Sequence, residues 1–167
     1  MPAHPTPPAA FYDAAMLKSG NSLGLLMKRV MQSLALQIDR QLQPHDLTHA
    51  QWLPLYKLAL GECRTVASLA RDQALDPGAM TRALDRLEAK GLVRRVRSQQ
   101  DRRVVDLELS DEGRRLAQVV PAVLADVFNA HLSGFNEAEW TQLIGLLTRM
   151  VANGDALREA GKDSTPT

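Results

Sequence analysis

The spacing of the apolar residues changes once, at Gly91, and that change restricts the fold more than any other feature of the chain. Before it, Met80, Ala83, Leu84 and Leu87 fall on one helical stripe. Asp76 is a good N-cap. Pro77 suits the first helical position, where its missing N–H has no partner to lose, and Gly91 suits the left-handed stop. These signals predict a helix over 77–90. After Gly91 the period is two. Leu92, Val93 and Val96 with Arg95 and Arg97 read as a strand, and Val105, Leu107 and Leu109, alternating with Val104, Asp106 and Glu108, as a second. The polar loop Ser98–Arg103 joins them, so a β-hairpin with an arginine-rich tip is expected to project from a helical body.

Other segments keep a helical period. Leu23, Leu26, Met27, Val30, Met31, Leu34, Ile38 and Leu42 predict one long first helix over 13–42, closed by Pro44. Thr48 and Gln51 form a capping box for a second helix to Leu60, with a bend expected at Pro54. Thr65 caps a short third helix over 66–74. Ser110 caps a fifth, whose stripe runs from Leu116 to Leu132 with a kink at Pro121. Asn136 and Glu139 open a sixth, with Trp140, Leu143, Ile144, Leu147, Met150 and Val151 as its stripe. The fold expected is mainly α with one small β-hairpin. A winged helix-turn-helix lobe over 47–110 lies between a dimerisation helix over 13–46 and C-terminal dimerisation helices over 111–153. Residues 1–12 and 154–167 read as flexible tails.

Composition excludes several classes. Apolar residues make up 45% and charged residues 23%, which is ordinary for a globular protein and not for a disordered one. Apolar runs fall far short of the roughly 20 residues that span a bilayer, and the proline-rich start has no secretory pattern. A single cysteine, Cys63, excludes an internal disulfide framework and a multi-cysteine zinc site, and fits a reducing cytoplasm. No glycine-rich phosphate loop, nucleophile elbow or paired metal motif is present, so no enzyme and no cofactor are expected. His45 and His49 are four apart, but a helix start falls between them, so no metal site is expected. The formal net charge is only +1, yet residues 82–103 hold eight basic and three acidic residues and the remainder of the chain is acidic. Charge concentrated in this way suits a polyanion at one place.

The predicted fourth helix has a face that is small at its leading end, at Gly78, Ala79 and Thr81, and basic beyond, at Arg82 and Arg86. Such a face enters a DNA major groove, with Arg82 reaching a guanine edge or a phosphate and Arg86 a phosphate. A hairpin tip lays arginine in the adjacent minor groove.

The run Thr81-Arg82-Ala83-Leu84-Asp85-Arg86-Leu87-Glu88-Ala89-Lys90-Gly91-Leu92-Val93, then Asp101-Arg102-Arg103, then Leu107-Glu108-Leu109-Ser110-Asp111-Glu112-Gly113, resembles the MarR (multiple antibiotic resistance regulator) family of bacterial transcription factors. Ser110 stands where the family usually has threonine, and keeps the capping hydroxyl. The likeness covers about residues 13–153. It implies a homodimeric repressor on a palindromic DNA operator, with Arg103 as the minor-groove residue and Asp101 holding its guanidinium. DNA contacts are therefore expected from Thr81, Arg82, Arg86, Asp101, Arg102 and Arg103. The resemblance also implies release by a small aromatic or phenolic acid of hydroxybenzoate or hydroxynicotinate type. His49, Trp52 and Tyr56 lie on one side of the second helix and, with Tyr12 and Arg29 from the first, are the candidate effector contacts; Trp52 and Tyr56 equally suit plain core positions. Two alternatives stay open: a redox sensor through Cys63, which has Arg64 beside it, and a winged-helix protein-interaction module that does not bind DNA.

Overall fold

The computed structural model describes residues 11–12, 22–98 and 104–163, without the side chains of His49, Lys162 and Asp163. The order is α1 (Leu23–Leu42), a 3-10 turn (Gln43–His45), α2 (His49–Leu60), α3 (Val66–Asp72), α4 (Pro77–Ala89), β1 (Val93–Arg97), β2 (Val105–Leu109), α5 (Asp111–Ala117), α6 (Val120–His131) and α7 (Glu137–Asp163). The strands form an antiparallel hairpin with Val93 opposite Leu109 and Arg97 opposite Val105. The mainly helical class, the helix-turn-helix and the wing are as the periodicity predicts. The chain divides after Val127 into two compact units.

In the first unit α2 is central, packing against α1, α4, α5 and β2. Leu55 of α2, Leu69 of α3, Met80, Leu84 and Leu87 of α4, and Leu107 and Leu109 of β2 share one buried core. Each such side chain contributes about 1.5–3 kcal/mol through its removal from water. Pro54, also buried, leaves one helical bond unmade, yet α2 continues to Leu60 and stops at Gly61 with φ +73°. Gln51 Oε1 accepts the Thr48 backbone N–H at 3.2 Å, as the capping signal predicts. Lys57 ties α2 to the following loop through Glu62 (2.7 Å) and to α3 through Asp72 (3.4 Å). The bond to Glu62 is the chief reason the Lys57 pKa is raised.

Three boundaries differ from the sequence reading. Helix α1 begins at Leu23, where Ser22 accepts the Leu25 N–H, and the expected start at Asp13 lies outside the described residues. Its stripe is also split: Leu34, Ile38 and Leu42 are buried, while Leu26, Met27, Val30 and Met31 are exposed. The expected fifth helix is two helices, α5 and α6. Pro121 has no N–H to return to the Ala117 carbonyl, so the chain breaks at Gln118–Val119 and restarts with proline in the first turn of α6.

The second unit is the end of α6 and helix α7. The Asn136 side chain accepts the Glu139 N–H at 3.0 Å, and Glu139 accepts the Asn136 N–H at 2.9 Å, a reciprocal cap. Trp140, Ile144, Leu146, Met150 and Val151 are exposed along α7. The helix does not fray at Gly154 but runs to Asp163. Ala156, Leu157, Arg158, Glu159 and Ala160 are strong helix formers and outweigh the roughly 1 kcal/mol cost of a glycine. An Asp155–Arg158 ion pair adds to them.

One close approach sets the wing against the body. Ser110 N donates to the Leu92 carbonyl at 3.0 Å, and the Ser110 hydroxyl accepts the Gly113 N–H at 2.9 Å. A Cβ on Gly113 would lie 2.0 Å from the Leu92 oxygen. We expect Gly113→Ala to cost about 2–3 kcal/mol by forcing these backbones apart, read as a lower urea midpoint; an unchanged midpoint would show that the contact is loose.

Candidate nucleic-acid interface

Helix α4 supplies the face that the sequence singles out. Asp76 Oδ2 accepts the Ala79 N–H at 2.9 Å and opens the helix. The core-facing residues Met80, Ala83, Leu84 and Leu87 are buried, so Thr81, Arg82 and Arg86 are exposed. The Arg82 Nη1 lies 3.5 Å from the place a Cβ on Gly78 would take, an ordinary contact distance, and Asp76 Oδ2 lies 2.9 Å from the same place. Arg82 therefore reaches back toward the start of the helix, as helical side chains do. The Thr81 hydroxyl donates to the Pro77 carbonyl at 2.9 Å, so its proton is used within the helix. Asp101, Arg102 and Arg103, the expected wing-tip contacts, lie outside the described residues.

The basic segment proves to contain two populations. Arg95 on β1 bonds to Asp85 Oδ1 at 2.7 Å and also to Glu88, both on α4. The bond to Asp85 is the chief cause that raises the Arg95 pKa. Arg94 bonds across the hairpin to Glu108 at 2.6 Å. Lys90 reaches Asp46 Oδ2 at 2.9 Å and the buried Gln51 Oε1 at 3.2 Å, linking the end of α4 to the start of α2. These three cations hold the scaffold together. Arg82, Arg86 and Arg97 have no ion-pair partner among the described residues and are exposed. Counting charge along the segment missed this division, because pairing depends on which carboxylates the fold brings near.

The five candidate effector residues do not share a cavity among the described residues. Trp52 is 6% exposed and belongs to the core. The Tyr12 hydroxyl accepts the Leu23 N–H at 2.8 Å, at the start of α1. Arg29 is exposed on α1, and the His49 side chain lies outside the described residues. Only Tyr56 lines a large cavity, one of about 690 Å³ between the end of α2, the Cys63–Arg64 segment, β2 and α5. Arg64, Asp106, Glu108 and Arg114 supply charge on its walls, and Arg114 is paired with Asp111 at 2.7 Å. The Leu107 N–H donates to the Arg64 carbonyl at 2.7 Å, which brings residues 63–64 against β2. No local pattern in the sequence announces that pairing. Cys63 is buried. Among the described residues, no group of three His, Cys, Asp or Glu is placed to hold a metal ion, and no helix is long and apolar enough to cross a membrane.

The sequence matches the MarR family over residues 47–105, which spans α2 to the start of β2. Among solved structures, the chain is similar to the transcriptional regulator PA3341 at 31% identity, covering 81% of this chain and 99% of that one with a TM-score of 0.73. It is similar to the reduced form of MarR from E. coli at 28% identity, covering 77% and 96% with a TM-score of 0.69. A cysteine-to-serine mutant of that E. coli protein, complexed with operator DNA, is similar at 28% identity, covering 83% and 99% with a TM-score of 0.72.

The Arg95 bridge makes a stability prediction. Arg95→Ala leaves Asp85 and Glu88 unpaired beside each other and frees β1 from α4. The pairs are partly solvent-exposed, so the expected loss is about 1 kcal/mol, measured as a lower melting temperature that approaches wild type in high salt. A variant with wild-type melting at low salt would show that core contacts alone hold the wing.

Proposed function

This chain belongs to the MarR family, whose members are transcription regulators and not enzymes, and on that premise we propose that it is a ligand-responsive DNA-binding repressor acting as a homodimer on a palindromic operator. The observation that carries the reading is the exposed pair Arg82 and Arg86, unpaired among the described residues, on a helix whose leading end is small. Such a helix fits a major groove, with Arg82 toward base edges and Arg86 toward the backbone. Thr81 contributes its small, exposed side chain to the approach. Asp101, Arg102 and Arg103 remain the proposed wing-tip contacts in the neighbouring minor groove. A module built only to bind protein has no need of unpaired guanidinium groups at this place.

The proposed dimer rests on apolar surface. Leu26, Met27, Val30 and Met31 on α1 and Trp140, Ile144, Met150 and Val151 on α7 are exposed in the single chain. Exposed apolar surface of this kind on each unit is what a second copy can cover, and a palindromic operator calls for two α4 helices about one DNA turn, roughly 34 Å, apart. The E. coli relative is solved in complex with operator DNA, which supports the DNA-binding reading.

For the effector we propose an aromatic acid of hydroxybenzoate or hydroxynicotinate type in the cavity beside Tyr56. Its volume of about 690 Å³ suits a small ligand, the Tyr56 ring offers a flat partner, and Arg64 offers a guanidinium to the carboxylate. The cavity lies against α2 and β2, which pack on α4 and β1 respectively. A ligand that moved α2 against β2 would alter the placement of the recognition helix, which is the coupling a regulator requires. Burial of Cys63 favours a packing role over the redox alternative.

Two outcomes test the reading. A duplex selected by the wild-type protein from a random-sequence pool is expected to be palindromic, and Arg82→Ala to weaken its binding by about 1–3 kcal/mol and relax specificity at one position per half-site. Hydroxybenzoate is expected to release that duplex from wild type and not from Arg64→Gln. A single asymmetric half-site, or release unaffected by the Arg64 change, would count against the operator and effector assignments respectively.

A further inference from the structure

We infer that Arg97 is a DNA-backbone contact on the inner face of the wing, seated between the groove read by α4 and the groove reached by the wing tip; this rests on the DNA-binding reading above. The hairpin has two faces, because successive side chains of a strand alternate. Val93, Arg95 and Arg97 share one face with Val105, Leu107 and Leu109; Arg94 and Val96 share the other with Asp106 and Glu108. Arg95 identifies the first as the face toward α4, because it bonds there to Asp85 and Glu88. Arg97 lies on that same face, two residues and about 6.8 Å farther toward the tip.

Its surroundings distinguish it from the other wing cations. Both strand carboxylates, Asp106 and Glu108, are on the opposite face, where Glu108 pairs with Arg94. Opposite Arg97 stands Val105, which is apolar and 42% exposed. Arg95 is already satisfied by α4. Arg97 is thus an exposed guanidinium on an inner face whose nearest strand neighbours carry no acid, with no ion-pair partner among the described residues.

The position matches the path of a phosphate backbone. Around α4, at about 100° per residue, Asp85 lies some 60° from Arg82 on one side and Arg86 some 40° on the other. The wing, held at Asp85 and Glu88, therefore forms a wall beside the Arg82 face. A duplex that takes α4 in its major groove must carry a sugar-phosphate strand along that wall before the minor groove begins. A guanidinium there meets phosphate oxygens and no base edge, so it adds affinity without adding sequence preference.

The test compares wild type, Arg97→Gln, Arg97→Lys and Arg94→Gln on two duplexes: the one selected from the random pool by wild type, and the same duplex with its sequence scrambled. Dissociation constants are measured across a salt series. Arg97→Gln is expected to reduce the log–log salt slope by about one and to weaken both duplexes about fivefold at moderate salt, leaving their ratio unchanged. Arg97→Lys is expected to restore the slope, and Arg94→Gln to leave it as in wild type. An Arg97→Gln protein that melts as wild type does and keeps the full slope overturns the inference while the DNA reading stands. A change in the ratio between duplexes overturns the backbone assignment in favour of base contact. Wild type that binds neither duplex overturns the DNA reading, and this inference with it.

Discussion

Leu92 is where helix α4 is closed, the wing begins and α5 is pinned. Gly91 turns the chain with φ +70°, and the Leu92 N–H returns to the Leu87 carbonyl, closing the helix. Two residues later the same chain is a strand. The Leu92 oxygen then accepts the Ser110 N–H, and Ser110 in turn caps α5 through Gly113. Three elements thus converge on one residue, Leu92, with no room for a side chain on Gly113. A recognition helix and a wing must hold a fixed relation to meet two grooves of one duplex. This junction supplies that relation from backbone hydrogen bonds, with the Arg95 bridge beside it, which leaves Arg82, Arg86 and Arg97 free of a structural task.

Charge is divided on the same principle. Where the fold needs a cation, a carboxylate stands beside it: Asp85 and Glu88 for Arg95, Glu108 for Arg94, Asp46 for Lys90. Each of these pairs ties two separate segments of the fold together. Arg82, Arg86 and Arg97, unpaired among the described residues, all lie on exposed surface. Unpaired cations on a rigid frame repel one another mildly in the free protein, and a polyanion relieves that repulsion on binding. The +1 total conceals this design, because the acidic remainder of the chain cancels a local excess.

Much of the fold was legible before the structure. The capping pairs Thr48 with Gln51 and Asn136 with Glu139, the Asp76-Pro77 start and the glycine stops at Gly61 and Gly91 act over three or four residues, and local steric and hydrogen-bonding rules suffice to read them. Pro121 was legible as a disturbance, but whether it kinks or splits a helix depends on what the freed carbonyl meets. The effector candidates fared differently. Helical spacing places Trp52 and Tyr56 on one side of α2, yet the core claims Trp52 and a cavity claims Tyr56. A single helix carries no record of which neighbour will cover which part of its face.

Patterns a few residues long carry most of the elements, their order, the family and the existence of an arginine-bearing helix followed by a wing. Packing between elements decides whether a helix splits before Pro121, which arginines are held in internal pairs and which face outward, and where a cavity opens. Those outcomes depend on contacts between residues far apart in the chain, such as Lys90 with Asp46 or Leu107 with Arg64, and such contacts exist only once the core has set the distances between its elements.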